Sequence, residues 1–157
     1  RVNFEFDKNL KFQIYQWHKS LGILLFLAFF LRININLFIN SPPLPKTITT
    51  LERKVSRLGH LILYLWMIIL PLSGWVMISA SSFGLPTIVF GWFEWPNIEN
   101  ISGNKFIETL ANKTHKFLAY SFILLILIHI GAIIKHFVID KENLLPRMGI
   151  GRIKKRL

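Results

Sequence analysis

The sequence predicts an all-α protein, a transmembrane helical bundle, on three observations. Three apolar runs have helical length, and no stretch alternates with the period of two expected of a half-buried strand. Hydrophobic residues make up 52% of the chain and the mean hydropathy is positive, which sets it apart from ordinary soluble domains. The basic residues gather at the ends of the apolar runs, which is how membrane proteins fix their orientation. For this reason the net charge of +11 does not point to nucleic acid, and no nucleic-acid partner is expected. The partner it implies is the lipid bilayer. No cysteine is present, which excludes disulfides, thiolate-bound metals and a covalently attached haem. Residues 1–157 read as a single membrane domain.

The first spanning segment is expected over about residues 13–33, preceded by a mixed charged and aromatic lead-in, residues 1–12. Tyr15 and Trp17 suit a membrane interface. Lys19 and Arg32, near the two ends of its apolar run, read as snorkelling side chains. Phe26, Phe29 and Phe30 read as lipid-facing or packing groups. Residues 34–59 form a polar connection stiffened by Pro42, Pro43 and Pro45, and its second half has the spacing of an amphipathic helical entry. The second segment, about 60–80, contains a 20-residue stretch, 61–80, without a charge. Pro71 should kink it, with Ser73 or a neighbour satisfying the carbonyl that the proline releases. Gly74 offers room for a close approach, or merely local flexibility. Residues 81–103 are rich in Gly, Pro, Asn and aromatic residues, and Trp92, Phe93 and Trp95 suggest a loop lying on headgroups. The third segment, about 105–139, enters hydrocarbon near Phe117, and a basic tail follows.

Residues 34–59 carry Lys46, Arg53, Lys54 and Arg57 against Glu52, and the tail from Lys135 carries seven basic residues against two acids. The connection 81–116 is balanced, three against three. The positive-inside bias then puts the first connection and the C-terminus in the cytoplasm, with the 81–116 connection outside. The sequence begins at Arg1 on the outer side, with no starting Met, so a further spanning helix is expected before it, making three helices of four.

Ionisable groups at membrane depth mark function by default, and the histidines are the ones to follow. His115 and His129 are 14 residues apart on one helix, about 21 Å along its axis and about 40° around it. Both therefore point to nearly the same side, at two levels of a hydrocarbon layer about 30 Å thick. His18 lies at the same level as His115, on the outer side, and His60 lies at the inner start of the second segment. Two imidazoles at one depth on facing helices can hold a haem iron from both faces. Such ligation leaves no open coordination position, which favours electron transfer over oxygen binding. No Asp or Glu lies within the apolar runs, which argues against a carboxylate metal site. His18 and His60 also read, each alone, as interface residues. His129, with LLILI before it and IGAII after it, reads as a ligand more readily than as an interhelical hydrogen-bonding group. His136 reads as an interface residue.

The stretches YQWHKSLG, RLGHLILYLWMIILPLSGWVM, ETLANKTHKFLAY and HIGAIIKHFVIDKENLLPRM resemble three of the four helices of the bacterial cytochrome b561 family. The resemblance covers nearly the whole chain. It implies a four-helix transmembrane bundle in the bacterial inner membrane, two haem b groups, and electron exchange with a quinone and a further redox partner. The expected activity is that of an electron carrier or a quinone-linked oxidoreductase, and a homodimer is an allowed assembly. Carried over, His18 and His115 match the ligand pair of the outer haem. His129 matches one ligand of the inner haem, whose partner belongs to the helix expected before residue 1. His60 matches a family histidine outside the usual four ligands, placed near the inner haem or a quinone, with a substitute ligand role as the weaker reading. Lys19 and Arg32 are candidate partners for haem propionates. Two rivals remain: a haem-binding anchor subunit of a hydrogenase or formate dehydrogenase, and a non-redox membrane protein whose histidines cluster around a metal ion.

Overall fold

The computed structural model describes residues 8–38 and 49–139. Three helices dominate: α1, Lys8–Phe38, α2, Thr50–Ala80, and α3, Lys105–Val138, of 31, 31 and 34 residues. All three are long and apolar enough to cross a membrane. At about 1.5 Å per residue they run roughly 46–51 Å, well beyond the hydrocarbon layer, so each also traverses the headgroup region. The bundle is inside-out relative to a soluble protein. The described core is small, Phe29, Ala80, Val89, Ala111 and Leu118, while large apolar side chains such as Leu27, Leu31, Ile128 and Ile134 are exposed. Lipid is the solvent such a surface requires.

The helices are longer than the apolar runs. α1 takes in residues 8–12 of the expected lead-in, and α2 starts at Thr50, so the amphipathic entry and the span form one unbroken helix. A capping box explains that start. The Thr49 hydroxyl accepts from the Glu52 amide at 3.3 Å, and the Glu52 carboxylate accepts from the Thr49 amide at 2.9 Å. Glu52 also pairs with Lys135 near the end of α3, tying the two helices together at that end of the bundle. α3 starts at an Asn104 cap, whose side chain accepts from the Ile107 amide at 3.1 Å.

α2 packs on both other helices, most extensively on α3, and α1 also packs on a small hairpin. The grip between α2 and α3 includes a hydrogen bond from the Trp66 indole to the Ser121 hydroxyl, 2.8 Å. The all-α bundle carries one small hairpin in the connection that the sequence reads as an aromatic loop. β1, Thr87–Val89, pairs antiparallel with β2, Phe93–Trp95, with Ile88 opposite Glu94. The turn between them has left-handed φ at Phe90 (48°) and Gly91 (80°), the pattern of the primed turns that suit twisted hairpins. Glycine adopts such a φ freely, whereas Phe90 is held there by α1: its amide donates to Ser20 Oγ at 3.0 Å, and its ring meets Trp17 edge-on at 5.6 Å.

Polar side chains on one face of α1 seat the hairpin. Gln16 donates from Nε2 to the Pro86 carbonyl at 2.9 Å and accepts from the Ile88 amide at 3.1 Å. Lys19 Nζ donates to the Pro86 carbonyl at 3.0 Å. Positions 16, 19 and 20 share a helix face, so one stripe does the clamping. On the other side, the Trp75 indole of α2 donates to the Pro96 carbonyl at 2.8 Å, and the Ile98 amide donates to Ser79 Oγ at 3.0 Å. The hairpin thus spans from α1 to α2 at one end of the bundle.

Candidate functional site: two histidine pairs

Folding brings four of the five histidines together in two pairs, one near each end of the bundle. At the hairpin end, His18 of α1 and His115 of α3 have ring centres 6.1 Å apart and ring planes at 89°. At the opposite end, His60 of α2 and His129 of α3 have ring centres 5.4 Å apart at 58°. His60 sits ten residues inside α2, about 15 Å from its start, and not at the helix entry as the apolar run suggests. His136 lies in the last turn of α3. Among the described residues, no three His, Asp or Glu side chains converge as a metal cluster would require.

A cleft opens beside the first pair. Tyr15, His18, Gly22 and Phe26 of α1 face Pro71, Gly74, Met77 and Ile78 of α2 across it, with His115 at one side and Thr87 and Trp95 of the hairpin over it. The cleft is narrow, with a cavity volume of about 80 Å³, and it opens outward. Its walls are apolar apart from the histidines, Lys19, Tyr15 and Thr87.

The geometry can be tested against an iron porphyrin. Two metal–imidazole bonds of about 2 Å, plus about 1.1 Å from each ligating nitrogen to its ring centre, place the ring centres roughly 6 Å apart. His18 and His115 meet that separation, and the cleft between α1 and α2 opens beside the pair. His60 and His129 stand closer than that spacing and tilted, so a metal between them would require the rings to part.

His115 is prepared on its far side. Its Nδ1 lies 3.1 Å from the Leu70 carbonyl and 3.0 Å from Ser73 Oγ, both on α2. Gly74 completes the seat: a Cβ built there would stand 3.1 Å from Cε1 and 3.3 Å from Nδ1 of the His115 ring. The room that Gly74 provides is therefore taken by an imidazole. The Ser73 hydroxyl bonds the Leu70 carbonyl at 2.7 Å, so it does not serve the carbonyl four residues before Pro71, as the proline kink had suggested. Sequence reasoning missed both this role and the clamp of Gln16 and Ser20. A hydroxyl directly before a glycine that seats a histidine was the available signal, but it gains meaning only from a partner 42 residues away.

The two cationic candidates occupy different settings. Lys19 is buried, 9% exposed, and does not snorkel; its ammonium holds the Pro86 carbonyl and lies 4.7 Å from the Tyr15 ring centre. Arg32 is exposed near the other end of α1 and donates from Nε to the Tyr64 hydroxyl at 3.2 Å.

The comparisons agree with this architecture. The sequence pattern of prokaryotic cytochrome b561 matches residues 2–151. Cytochrome b561 homolog 2 of Escherichia coli (strain K12) is 36% identical over 132 residues, an alignment covering 83% of this chain and 68% of the relative. Three membrane-spanning helices and a match over nearly the whole length lead to one conclusion: the chain belongs to the prokaryotic cytochrome b561 family, multi-pass membrane b-type cytochromes that bind haem b and transfer electrons.

Proposed function

We propose that this protein moves electrons across the bacterial inner membrane between a quinone and a second redox partner, with His18 and His115 as the axial ligands of a haem b at the hairpin end. The observation that carries this reading is the 6.1 Å pair itself, with the Nδ1 edge of His115 turned to acceptors on α2 and its other nitrogen left for a metal. When bound, haem b supplies a reversible one-electron exchange between ferric and ferrous iron. The chain's own residues do the rest. His18 and His115 would hold the group between them and leave it no open position for oxygen. Apolar walls from Ile23, Phe26, Met77 and Ile78 keep water from the site, which lowers the reorganisation that each change of charge requires. Lys19 places the one ammonium among the cleft-lining residues where it balances the carboxylates of the cofactor.

His129 provides a ligand for a second haem near the other end, about 21 Å along α3 from His115. The two levels then cover most of the hydrocarbon thickness. His60 and Arg32 flank that lower level, Arg32 through Tyr64, and supply polar contacts for a second haem or a quinone reached from the lipid. The charge bias of the connections supports a cytoplasmic C-terminus with the hairpin outside.

A reduced-minus-oxidised spectrum of the purified protein tests the reading, paired with haem content per chain. His18→Ala and His115→Ala should each remove the same haem and leave any other spectral component in place. Full haem retention in either variant refutes the assigned pair.

A further inference from the structure

We propose that Ser73 is a positioning residue for the haem at the hairpin end, sharing the Nδ1–H of His115 with the Leu70 carbonyl and setting how strongly its Nε2 donates to iron. This rests on the reading of His115 as an axial ligand. The argument starts from what each atom can do. The Leu70 carbonyl only accepts hydrogen bonds, and it lies 3.1 Å from His115 Nδ1. A bare Nδ1 lone pair would be repelled there, so Nδ1 carries the proton. Ser73 has one hydrogen to give, and its 2.7 Å bond to the same carbonyl uses it. Its oxygen lone pairs then face Nδ1 at 3.0 Å. The Nδ1–H is thereby shared between two acceptors on one turn of α2.

The consequence falls on the other nitrogen. Among the described residues Nε2 of His115 has no hydrogen-bond partner, and the residue lines the cleft. With the proton on Nδ1, Nε2 holds the lone pair that a metal needs. Acceptors drawing on Nδ1–H make the ring a more basic ligand and fix its orientation. An electron-rich axial ligand favours ferric over ferrous iron, so the hydroxyl holds the midpoint potential down. Ser73 is itself buried, 9% exposed; its bond to Leu70 lies within α2, and its oxygen gains an N–H partner only when His115 is in place.

The test uses the full chain, loaded with haem in lipid nanodiscs. Redox titration and the ferric electron paramagnetic resonance spectrum are recorded for wild type, Ser73→Ala, Ser73→Cys and Ser73→Thr, with His115→Ala identifying which haem to follow. Ser73→Ala should keep its haem, raise the midpoint potential of that haem and broaden its ferric signal. Ser73→Cys, similar in size and a weak hydrogen-bonding group, should shift the potential the same way and serves if the alanine variant accumulates poorly. Ser73→Thr, which keeps the hydroxyl, should return both readings to wild type. Unchanged potential and spectrum in the Ala and Cys variants overturn the role of Ser73. Retention of all haem by His115→Ala fails differently, because it removes the ligand assignment itself.

Discussion

Gly74→Ala puts the smallest added group against the most constrained ring in the site. The new methyl would lie 3.1 Å from His115 Cε1, and ordinary contact begins near 3.4 Å, so the ring must retreat about 0.3 Å. Retreat is opposed at that same edge, where Ser73 and Leu70 hold Nδ1 to α2 at 3.0 and 3.1 Å. In the haem-free protein the ring can swing aside at the expense of those bonds, but ligation obliges it to return. The gain in helix propensity from replacing glycine is common to both forms and cancels from haem affinity. What remains is an overpacking cost of about 1–3 kcal/mol, which corresponds to roughly 5- to 150-fold weaker haem binding. Haem titration of the apoprotein, followed in the Soret band, measures it. Gly131→Ala is the control, because a Cβ there meets nothing within 4 Å, and it should leave this haem unaltered. A Gly74→Ala protein that binds haem with wild-type affinity and spectrum would refute the seat as described.

Three further outcomes are expected. Gln16→Ala removes both hydrogen bonds that this side chain makes to the hairpin, about 0.5–1.5 kcal/mol each; limited proteolysis should then cut within residues 84–92, and intact hairpin resistance would count against the clamp. Trp66→Phe deletes the indole bond to Ser121 between α2 and α3, and should lower stability by about 1 kcal/mol in a reversible detergent unfolding assay without loss of haem. Lys135→Ala breaks the pairing of Glu52 with α3 but leaves the capping box; hydrogen exchange should quicken at both helix ends near that pair while the haem at the hairpin end keeps its spectrum.

Much of the fold was legible because the bilayer reduces the choices. A 20-residue stretch without charge, 61–80, has little option but to be a spanning helix. The meeting of His18 and His115 followed from their matching depth, since helices that cross the same layer bring equal levels together. The hairpin was not legible, because three-residue strands are too short to show alternation and are held by Gln16, Lys19 and Ser20, some 66 to 72 residues away. The helix carrying His60 begins at Thr50, ahead of the apolar run, because hydropathy marks where lipid begins, whereas the Thr49 cap marks where the helix begins. The seat of His115 was hidden for the same reason as the hairpin clamp. Ser73 reads as an ordinary helical serine until α3 is folded against it.

The clamp also dictates an order of construction. Every bond between α1 and the hairpin region joins residues separated by more than 65 positions, so none can form until the chain has been synthesised to Leu85, and the set is complete only at Phe90. His115 comes later still. A nascent chain therefore presents His18 on an unroofed helix, and the second gripping residue arrives only after the roof has been made. On the proposed ligation by His18 and His115, haem is gripped from both sides only once the third helix has closed against the first two.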